Sequence, residues 1–388
     1  MKKVLFTATV DSHILHFHLP FLKYFKDNGY EVHVATNGDE EIPYCDKKIK
    51  ISFERSPFKI NNLKAISQLK KVINNEKYDI IHTHTPMGSV VTRLAAASAR
   101  KKFGTRVIYT AHGFHFYKGA PKLNWIIFYP IEKILSKITD TLITINNEDY
   151  ELAKSKFFCK DVQYVPGVGI DEDKFNIKMT KKEKIELRKS LGIKEDDFVI
   201  IYPAEISKRK RQEWLINAIS NLLKKYNNIH ILLPGKDSLN GRCNILINEL
   251  GLQNQIHLLG YRKDIPKLLL ISDLSISSAR QEGLPVNIME AMYVGLPIVA
   301  SNCRGNRDLV LDGKNGYLVE LEDSNRFSNC VKYLYSNKEL SNKFSNESKK
   351  LIKQYILNNI LKNMQKIYDN NDYINILHTK YPKLKIEE

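Results

Sequence analysis

The sequence lacks the features of several protein classes. Its five cysteines are odd in number and form no C-x-x-C pair, so neither a disulfide framework nor a structural zinc site is expected. The apolar stretch from Trp125 to Ile131 is far shorter than the ~20 residues that a membrane-spanning helix needs. Near the N-terminus, Asp11 and His13 interrupt the apolar run that a signal peptide would require. A protein of the reducing cytoplasm is therefore expected.

Acidic residues are too few to balance the basic ones. Asp and Glu number 43 and Lys and Arg number 60, which leaves a formal net charge of +17. This excess favours anionic partners such as phosphates, nucleic acid or an anionic membrane face. The composition is otherwise that of a globular protein, with 43% hydrophobic and 27% charged residues. The length of 388 residues predicts two domains at ~100–200 residues each.

Two common nucleotide-binding motifs are also missing. No G-x-x-x-x-G-K-[ST] sequence occurs. The segment Gly167-Val168-Gly169 lacks the third glycine and the following helix of a dinucleotide fingerprint. Any nucleotide site must therefore be built in another way.

Short apolar strands alternate with amphipathic helices along nearly the whole chain. Predicted strands include Lys3–Thr9, Tyr30–Thr36 and Val107–Thr110 in the first half, and Phe198–Tyr202 and Leu274–Ser277 in the second. Such alternation predicts βαβ units on parallel sheets. We expect an α/β protein of two Rossmann-like domains facing each other across a cleft, where ligands usually bind.

A turn-rich segment that begins at Pro166 and the lysine-rich helix after it mark the domain border. We expect an N-terminal domain over residues 1–175 and a C-terminal domain over residues 176–355. The remaining residues, 356–388, are rich in Lys and Asn. They are expected to form a helical tail, for which the N-terminal domain is a candidate packing surface.

Ligands of open parallel sheets bind beyond the carboxyl ends of the strands. Leu274–Ser277 is followed by a loop with Glu282 and then by a helix that contains Glu290. The first turn of this helix suits a diphosphate, because its N–H groups are free and its dipole attracts anions. Each carboxylate can accept hydrogen bonds from two vicinal hydroxyls. One carboxylate could therefore hold a ribose and the other a sugar. An ordinary turn with a solvated helix glutamate is the alternative.

Four consecutive cations follow the predicted strand Phe198–Tyr202. The run Lys208-Arg209-Lys210-Arg211 would neutralise the two phosphates of a nucleotide sugar and then the leaving group. The alternative is a solvated basic loop.

Eight of the 11 histidines precede residue 116. His84 and His112 follow predicted strands, where an imidazole is well placed to hydrogen-bond a sugar or an acceptor. A metal cluster is the alternative. No carboxylate or cysteine lies at matched spacing and no H-E-x-x-H motif occurs, so we expect no bound metal.

Residues 92–137 combine basic and aromatic side chains. Nine cations in this segment accompany a single acid, Glu132. The aromatic residues interleaved with them include Phe114, Phe116, Tyr117, Trp125, Phe128 and Tyr129. Such a segment suits an interfacial contact with anionic lipid, at ~1 kcal/mol per cation, or a nucleic-acid surface. A core of aromatics surrounded by lysines is the third interpretation.

As a set, these motifs resemble family 4 of the retaining glycosyltransferases, which have the GT-B fold. Glu282-Gly283-Leu284-Pro285 with Glu290 resembles the E-x7-E signature of that family. The N-terminal half is similar to transferases of capsular and exopolysaccharide clusters. The segments that carry this similarity are His82-Thr83-His84-Thr85-Pro86, the residues around His112, and Asn146-x-Glu148-Asp149. The likeness extends through about Leu318.

The resemblance implies metal-independent transfer of a sugar, with retention at the anomeric carbon, from a nucleotide diphosphate sugar (a UDP-sugar by preference). It implies no cofactor. The residues that match functional positions of the family are Glu282 and His112 at the transferring sugar, Glu290 at the ribose, Gly283 and Leu284 at the diphosphate or sugar, Lys210 at the phosphates, and Gly260 and Tyr261 at the base.

The sequence departs from the family pattern at two places. The usual Gly-Arg-Leu of the phosphate loop is Ala204-Glu205-Ile206 here, so Arg209 or Lys208 is expected to replace the missing arginine. The Gly-Gly of the first loop is replaced by residues 8–13. The resemblance therefore assigns no acceptor contacts.

The expected partners are the donor, an acceptor linked to undecaprenyl diphosphate, and the inner face of the cell membrane through residues 92–137. Two other functions are weighed against this one. A sugar-nucleotide epimerase would convert the donor without an acceptor. A nucleic-acid-binding protein would bind DNA or RNA with a steep salt dependence, but no recognised module for it occurs, so no nucleic-acid partner is expected.

Overall fold

The computed structural model describes residues 1–369 in two compact units. Among the described residues, the first unit comprises Met1–Val168 together with residues 358–369, and the second comprises Gly169–Leu357. The first border thus falls seven residues before the expected one at 175, and the second falls two residues after 355. Residues 370–388 of the expected tail lie outside the described residues.

The first unit is built on a parallel sheet of seven strands in the order β3-β2-β1-β4-β5-β6-β7. These strands are β1 (Lys3–Thr7), β2 (Glu31–Thr36), β3 (Lys47–Lys50), β4 (Ile80–Thr83), β5 (Arg106–Ala111), β6 (Thr141–Thr144) and β7 (Asp161–Tyr164). Its helices are α1 (Asp11–Phe17), α2 (Leu19–Asp27), α3 (Asn61–Glu76), α4 (Pro86–Phe103), α5 (Lys122–Leu135) and α6 (Asn147–Lys156), with a 3₁₀ turn at Ser136–Ile138.

The second unit is built on a parallel sheet of six strands in the order β10-β9-β8-β11-β12-β13. These strands are β8 (Phe198–Ile201), β9 (Ile229–Pro234), β10 (Ile256–Gly260), β11 (Leu274–Ser277), β12 (Ile298–Ser301) and β13 (Gly316–Val319). Its helices are α7 (Glu172–Phe175), α8 (Lys181–Ser190), α9 (Gln212–Lys225), α10 (Arg242–Leu250), α11 (Ile265–Leu270), α12 (Val286–Val294), α13 (Asn306–Leu309), α14 (Ser324–Ser336) and α15 (Lys338–Leu351), with a 3₁₀ turn at Ile352–Tyr355.

Helices cover both faces of the first sheet. Leu5 and Ile81 of the strands pack with apolar residues of α3 and α4 on one face. Val4 and Phe6 pack with residues of α1 and α2 on the other. Both faces are buried, and β1 accordingly carries the uninterrupted apolar run Val4, Leu5 and Phe6, although Thr, His and Arg residues also occur in the central strands. The predicted α/β class with two Rossmann-like domains is confirmed.

The last described helix, α16 (Leu357–Tyr368), packs into the core of the first unit although it is far away in sequence. Ile360 and Met364 are buried there. The Tyr368 hydroxyl lies 2.9 Å from His82 Nδ1. Arg106 donates a hydrogen bond to the Tyr368 carbonyl. The chain therefore leaves the first unit and returns to complete its core.

In each sheet the strand order reverses at one place, between β1 and β4 in the first unit and between β8 and β11 in the second. The loops that leave neighbouring strands diverge at such a switch point and leave a crevice beyond the carboxyl ends. The loops after these four strands are therefore the places to look for bound ligands.

Among the described residues, no helix has both the length and the hydropathy required to cross a bilayer.

Truncating Ile360 to alanine tests the contribution of α16. The side chain is fully buried, so we expect Ile360→Ala to lower the free energy of unfolding by about 2–5 kcal/mol. Lys362→Ala, an exposed position on the same helix, serves as the control and is expected to change it by less than about 0.5 kcal/mol. Equal effects in urea denaturation would contradict the packing described.

Candidate functional site

The loop after β11 places a buried carboxylate between two cations. Glu282 is only 7% exposed. Lys210 Nζ lies 2.6 Å from Glu282 Oε1. Arg209 donates a hydrogen bond of 2.9 Å to Glu282 Oε2 and another of 3.0 Å to the carbonyl of Gln281. The loops after β8 and β11 thus meet at the switch point of the second sheet, through charged groups.

A third loop supports this arrangement. Arg304, which follows β12 and is buried, donates a hydrogen bond of 3.1 Å to the carbonyl of Glu282. Gly305 has a φ of +79°, and a Cβ at this position would lie 2.5 Å from the carbonyl oxygen of Gly283. Only glycine fits there without displacing the loop that carries Glu282. Neither Arg304 nor Gly305 is predicted from the sequence to belong to the site, although both follow closely after the strand β12.

The helix that follows Glu282 presents its N-terminus at the same edge of the sheet. Pro285 precedes α12, and no side chain in the described part of the chain caps this end. Leu284 is buried and anchors the turn, whereas Gly283 is partly exposed. Uncapped N–H groups at a helix N-terminus favour an anion such as a phosphate. The structure therefore brings Glu282, Gly283, Leu284, Arg209 and Lys210 together.

Glu290 lies farther along α12. Burial raises the pKa of its carboxyl to about 7, and the charge of Lys174 opposes this rise only in part. A carboxyl with this pKa is protonated in a substantial fraction of molecules at neutral pH. A ligand that offers hydrogen-bond donors would favour the ionised form.

The four-cation run does not act as one patch. Lys208 is exposed and Arg211 is buried. Arg211 donates hydrogen bonds of 2.7 Å to the Leu321 carbonyl and to Glu322 Oε2, and its guanidinium lies over the ring of Trp214. The expectation that all four cations face the phosphates is wrong for Arg211, because its left-handed backbone (φ 60°) turns the side chain away from Glu282.

Glu205 stands where the family has a phosphate-binding arginine. Its carboxylate accepts a hydrogen bond of 2.5 Å from Ser238, in the loop after β9. Gly235 in that loop permits close approach, because a Cβ there would lie 1.8 Å from the carbonyl oxygen of Ala204. Both expected replacements for the arginine, Lys208 and Arg209, are exposed, but Arg209 contacts Glu282.

Gly260 and Tyr261 lie at the carboxyl end of β10, the edge strand of the second sheet. The carbonyl of Gly260 accepts a hydrogen bond of 2.7 Å from the amide of Gly235. Tyr261 is 73% exposed. Two strands separate β10 from β11, so these two residues are not part of the group around Glu282.

In the first unit, His112 directly follows β5. The loop that continues from it is held by the Asn146-x-Glu148-Asp149 motif. Asp149 Oδ2 accepts hydrogen bonds from the amide of Phe114 and from Asn146 Nδ2, both of 2.9 Å. Glu148 Oε1 accepts one of 2.7 Å from the amide of Lys118. This motif therefore positions the loop that carries His112.

Four histidines converge from the segment after β1, which includes α1, and from the loops after β4 and β5. They are His13, His18, His84 and His112, and each offers a ring nitrogen within 4.8 Å of the others. Burial lowers the pKa of His13 to about 4 and that of His112 well below its ordinary value. The cluster is therefore a set of neutral imidazoles at neutral pH.

The two deepest imidazoles of this cluster have unsatisfied nitrogens. Within the described residues, neither ring nitrogen of His18 has a hydrogen-bond partner, and the same is true of His84 Nε2. The two rings stack with centroids 3.7 Å apart. A buried polar group without a hydrogen-bond partner costs about 1–3 kcal/mol, so the two imidazoles are held here at an energetic cost.

A cavity of about 460 Å³ opens at the switch point of the first sheet. Its lining residues are Thr9, Val10, Ser12, His13, His16, Phe17, Arg55, Thr85, Pro86, Met87 and His115. Its volume falls in the range of small-molecule sites, about 300–1,000 Å³.

The basic aromatic segment divides between interior and surface. Arg93 is buried and donates a hydrogen bond of 2.8 Å to Glu132, and Arg100 pairs with Asp140. Phe116 is fully buried, and Trp125 packs against it. The aromatic side chains thus serve as core, as the third interpretation of this segment held, and the inward arginines do not add to a surface patch.

Comparisons with known proteins match both units. The model of the family described as Glycosyl transferase 4-like matches residues 3–146, and that of Glycosyl transferases group 1 matches residues 183–351. The chain is 42% identical over 368 residues to EpsD of Bacillus subtilis (strain 168), whose name assigns it to the glycosyltransferases. That match covers 95% of this chain and 96% of EpsD.

A second relative is the UDP-Gal:alpha-D-GlcNAc-diphosphoundecaprenol alpha-1,3-galactosyltransferase of Escherichia coli, 28% identical over 338 residues, with 84% of each chain covered. Among solved structures, HepE of Anabaena in complex with UDP and glucose superposes with a TM-score of 0.75 at 20% identity. That match covers 95% of this chain and 100% of HepE.

The two parallel sheets and the two family models define this protein as a glycosyltransferase with the GT-B fold. It belongs to family 4 of these enzymes, in the group that serves exopolysaccharide and capsule biosynthesis. The resemblance seen in the sequence is confirmed. The relatives are transferases by name, which disfavours the epimerase alternative.

Replacing Glu290 by glutamine tests the environment of this carboxyl. Its pKa rises from the ordinary 4.5 to about 7 on folding, so its contribution to stability is greatest below pH 4.5 and is lost as the pH rises through 7. Between pH 5 and pH 8 we expect the wild type to lose stability relative to Glu290→Gln, on the order of 1–3 kcal/mol. Chemical denaturation at both pH values measures the difference, and parallel pH profiles would contradict the prediction.

Proposed function

We propose that the second unit binds a UDP-sugar and that Glu282, Lys210 and Arg209 form the centre of the donor site. The observation that carries the proposal is the buried Glu282 carboxylate with Lys210 2.6 Å and Arg209 2.9 Å away. A donor diphosphate brings negative charge to these two cations and frees the carboxylate to accept sugar hydroxyls. The uncapped N-terminus of α12 adds favourable partial positive charge.

The leaving group then needs no Mg²⁺ in this proposal. The bond between the anomeric carbon and the β-phosphate oxygen breaks, and charge develops on the released diphosphate. Lys210 and Arg209 lie where that charge is stabilised, and preorganised charge is commonly the largest catalytic contribution. Glu290 accepts the ribose hydroxyls, and Gly260 and Tyr261 hold the base.

The reaction proceeds with retention at the anomeric carbon. The acceptor hydroxyl attacks from the face that the diphosphate leaves, and its proton passes to the departing phosphate oxygen. Glu282 is held by two ion pairs, which suits a positioning role better than that of a covalent nucleophile. The relative that transfers galactose from UDP-Gal with an alpha linkage supports retention, since the bond in UDP-galactose is itself α. His112 contacts the transferring sugar.

The acceptor is a lipid-linked oligosaccharide that enters through the first unit. The cavity of about 460 Å³ at its switch point offers hydroxyls and imidazoles together with Arg55, a partner for a phosphate. The diphosphoundecaprenol acceptor in the name of the Escherichia coli relative supports this class. All five cysteines are free, which fits work at the cytoplasmic face of the cell membrane.

The donor proposal predicts a metal-free stabilisation by UDP. At 100 times its dissociation constant, a ligand stabilises the folded state by ~2.7 kcal/mol, so UDP is expected to raise the melting temperature more than GDP, ADP or CMP. Lys210→Met should abolish the shift and reduce turnover of a UDP-sugar by about 10²–10³-fold. The product, characterised by NMR, should carry an α linkage if the donor is α.

Lys208→Met is the matched control for this experiment. Lys208 lies in the same loop and carries the same charge, but it is exposed. It should keep both the UDP shift and turnover within a few fold of wild type. Equal losses in the two variants would mean that only the overall charge of the loop matters. If GDP raised the melting temperature more than UDP, the donor would be a GDP-sugar and not a UDP-sugar.

Helix α5 supplies the membrane contact in this proposal. Leu123, Ile126 and Ile134 are 62%, 69% and 61% exposed and recur at helical spacing on one face. Phe158, also exposed, lies beside this face with Lys133 and Lys137 around its ring. An exposed apolar stripe flanked by lysines is the arrangement expected of an interfacial helix. The apolar residues that α5 itself exposes are aliphatic, in place of the aromatic ones that the sequence suggested, and Phe158 is an aromatic neighbour from outside the helix.

Polar substitutions on this stripe are predicted to weaken binding to vesicles. The double change Ile126→Ser and Ile134→Ser should lower affinity for vesicles that contain phosphatidylglycerol at least tenfold, because each isoleucine contributes roughly 1.5–3 kcal/mol when buried. Ile245→Ser, at an equally exposed position of the second unit, is the control. Sedimentation with vesicles measures both, and undiminished binding of the double variant would exclude α5 as the contact.

A further inference from the structure

The loop between β3 and α3 exposes large apolar side chains at the surface of the first unit. Phe58 and Ile60 are each 82% exposed, and Leu63, in the first turn of α3, is 68% exposed. Leu63 lies outside the buried face of α3, which carries Ala65 and Leu69. Single exposed apolar residues are common on proteins, but a contiguous group of them marks an interaction site. Phe58, Ile60 and Leu63 are termed the apolar loop patch below.

Hydrogen bonds fix the backbone of this loop. Asn62 is buried, and its side chain accepts a bond of 3.0 Å from the amide of Glu54 and donates one of 2.9 Å to the carbonyl of Ser56. Asn61 donates a further bond of 3.0 Å to the Glu54 carboxylate. Phe53, directly before the loop, is buried in the core. Because the backbone is already ordered, a ligand that covers the patch has little loop ordering to oppose it.

Basic side chains accompany the apolar loop patch. Arg55 precedes Phe58 by three residues and lines the cavity of about 460 Å³ at the switch point of the first sheet. Three residues of chain span at most about 11 Å. Lys59 and Lys64 are exposed in the same segment, whose single acid is Glu54. Apolar surface and cations thus lie together at the edge of the cavity.

We propose that the apolar loop patch holds the first isoprenoid units of the lipid that carries the acceptor. This inference rests on the proposed function, in which a lipid-linked acceptor enters the cavity that Arg55 lines. A prenyl diphosphate joins two phosphates directly to an apolar chain. Arg55, followed by Phe58 and Ile60, offers partners of these two kinds in the same order. The guanidinium suits phosphate oxygens, and the removal of apolar surface from water favours contact between the chain and the patch.

The acyl region of a bilayer is the other apolar partner that such a patch could meet. A bilayer contact would not require the patch to adjoin a cavity, whereas a contact with the substrate's own lipid would. Arg55 lines the cavity and Phe58 belongs to the same short, tied loop. This continuity favours the lipid of the substrate, and the experiment below distinguishes the two partners.

The experiment titrates the full chain with farnesyl diphosphate and, separately, with inorganic pyrophosphate. Calorimetry is done without vesicles and with excess UDP, which occupies the cations of the second unit. Farnesyl diphosphate is expected to bind roughly tenfold or more tightly than pyrophosphate, because it adds an apolar chain to the same anionic group. The double change Phe58→Ser and Ile60→Ser should remove this advantage and leave pyrophosphate binding unchanged. Arg55→Met should weaken both ligands by similar factors.

Leu94→Ser is the matched control, because Leu94 is an exposed apolar residue of α4 outside both the loop and the cavity lining. It should bind both ligands like the wild type. Equal affinities of the wild type for the two ligands, or equal losses of both in the double variant, would overturn the inference. Unchanged farnesyl diphosphate binding in the double variant, with weaker sedimentation on phosphatidylglycerol vesicles, would assign the patch to the bilayer instead.

Transfer assays separate this inference from the proposed function. A wild type that binds farnesyl diphosphate through Phe58 and Ile60 but transfers no sugar to a lipid-linked acceptor would refute the proposed acceptor and leave the prenyl site standing. Conversely, the wild type and the double variant could transfer sugar equally well at low concentrations of a lipid-linked acceptor. That result would retain the proposed function and refute the prenyl site.

Discussion

Both candidate sites depend on one constraint of parallel sheets: where the strand order reverses, two neighbouring loops leave in opposite directions and a crevice remains between them. In the second unit, Lys210 from the loop after β8 contacts Glu282 from the loop after β11 across this crevice. In the first unit the loops after β1 and β4 enclose the larger cavity and bring His13 near His84. Side chains distant in sequence become neighbours because their strands are hydrogen-bonded side by side.

The basic residues that give the chain its large positive charge serve two different purposes. Some cations are structural, as with Arg93, which is buried against Glu132 and lies over the ring of Tyr109. Lys210 and Arg209 instead share one carboxylate that a ligand can replace. A buried ion pair is costly to break when one partner is left alone. In the proposed donor complex, exchange of the Glu282 carboxylate for a diphosphate would keep both cations paired.

Much of the fold and of the donor site follows from the sequence, because buried strands are apolar and the residues after them can be read directly. The charged edge strand β3 and the short β7 have no apolar pattern, so the sequence gives no strand signal for them. Arg211 donates a hydrogen bond to the Leu321 carbonyl, and Trp125 packs against Phe116. Both contacts depend on the direction of the side chain, which composition does not determine. The histidine cluster is a property of the sheet order, and spacing along the chain cannot reveal it.

The two units share one architecture but differ in the chemistry of their strand ends. The second unit presents the charged groups Lys210, Arg209 and Glu282, whereas the first presents mainly neutral imidazoles and hydroxyls such as that of Thr85, together with the cation of Arg55. In sugar transfer from a nucleotide diphosphate, the leaving group carries the charge and the attacking hydroxyl is neutral. In the proposed reaction, the charged group of the second unit would hold the leaving group, and the mostly neutral cavity of the first unit would orient the attacking hydroxyl. On that proposal, the different demands of the two substrates account for the dissimilar residues of two similar folds.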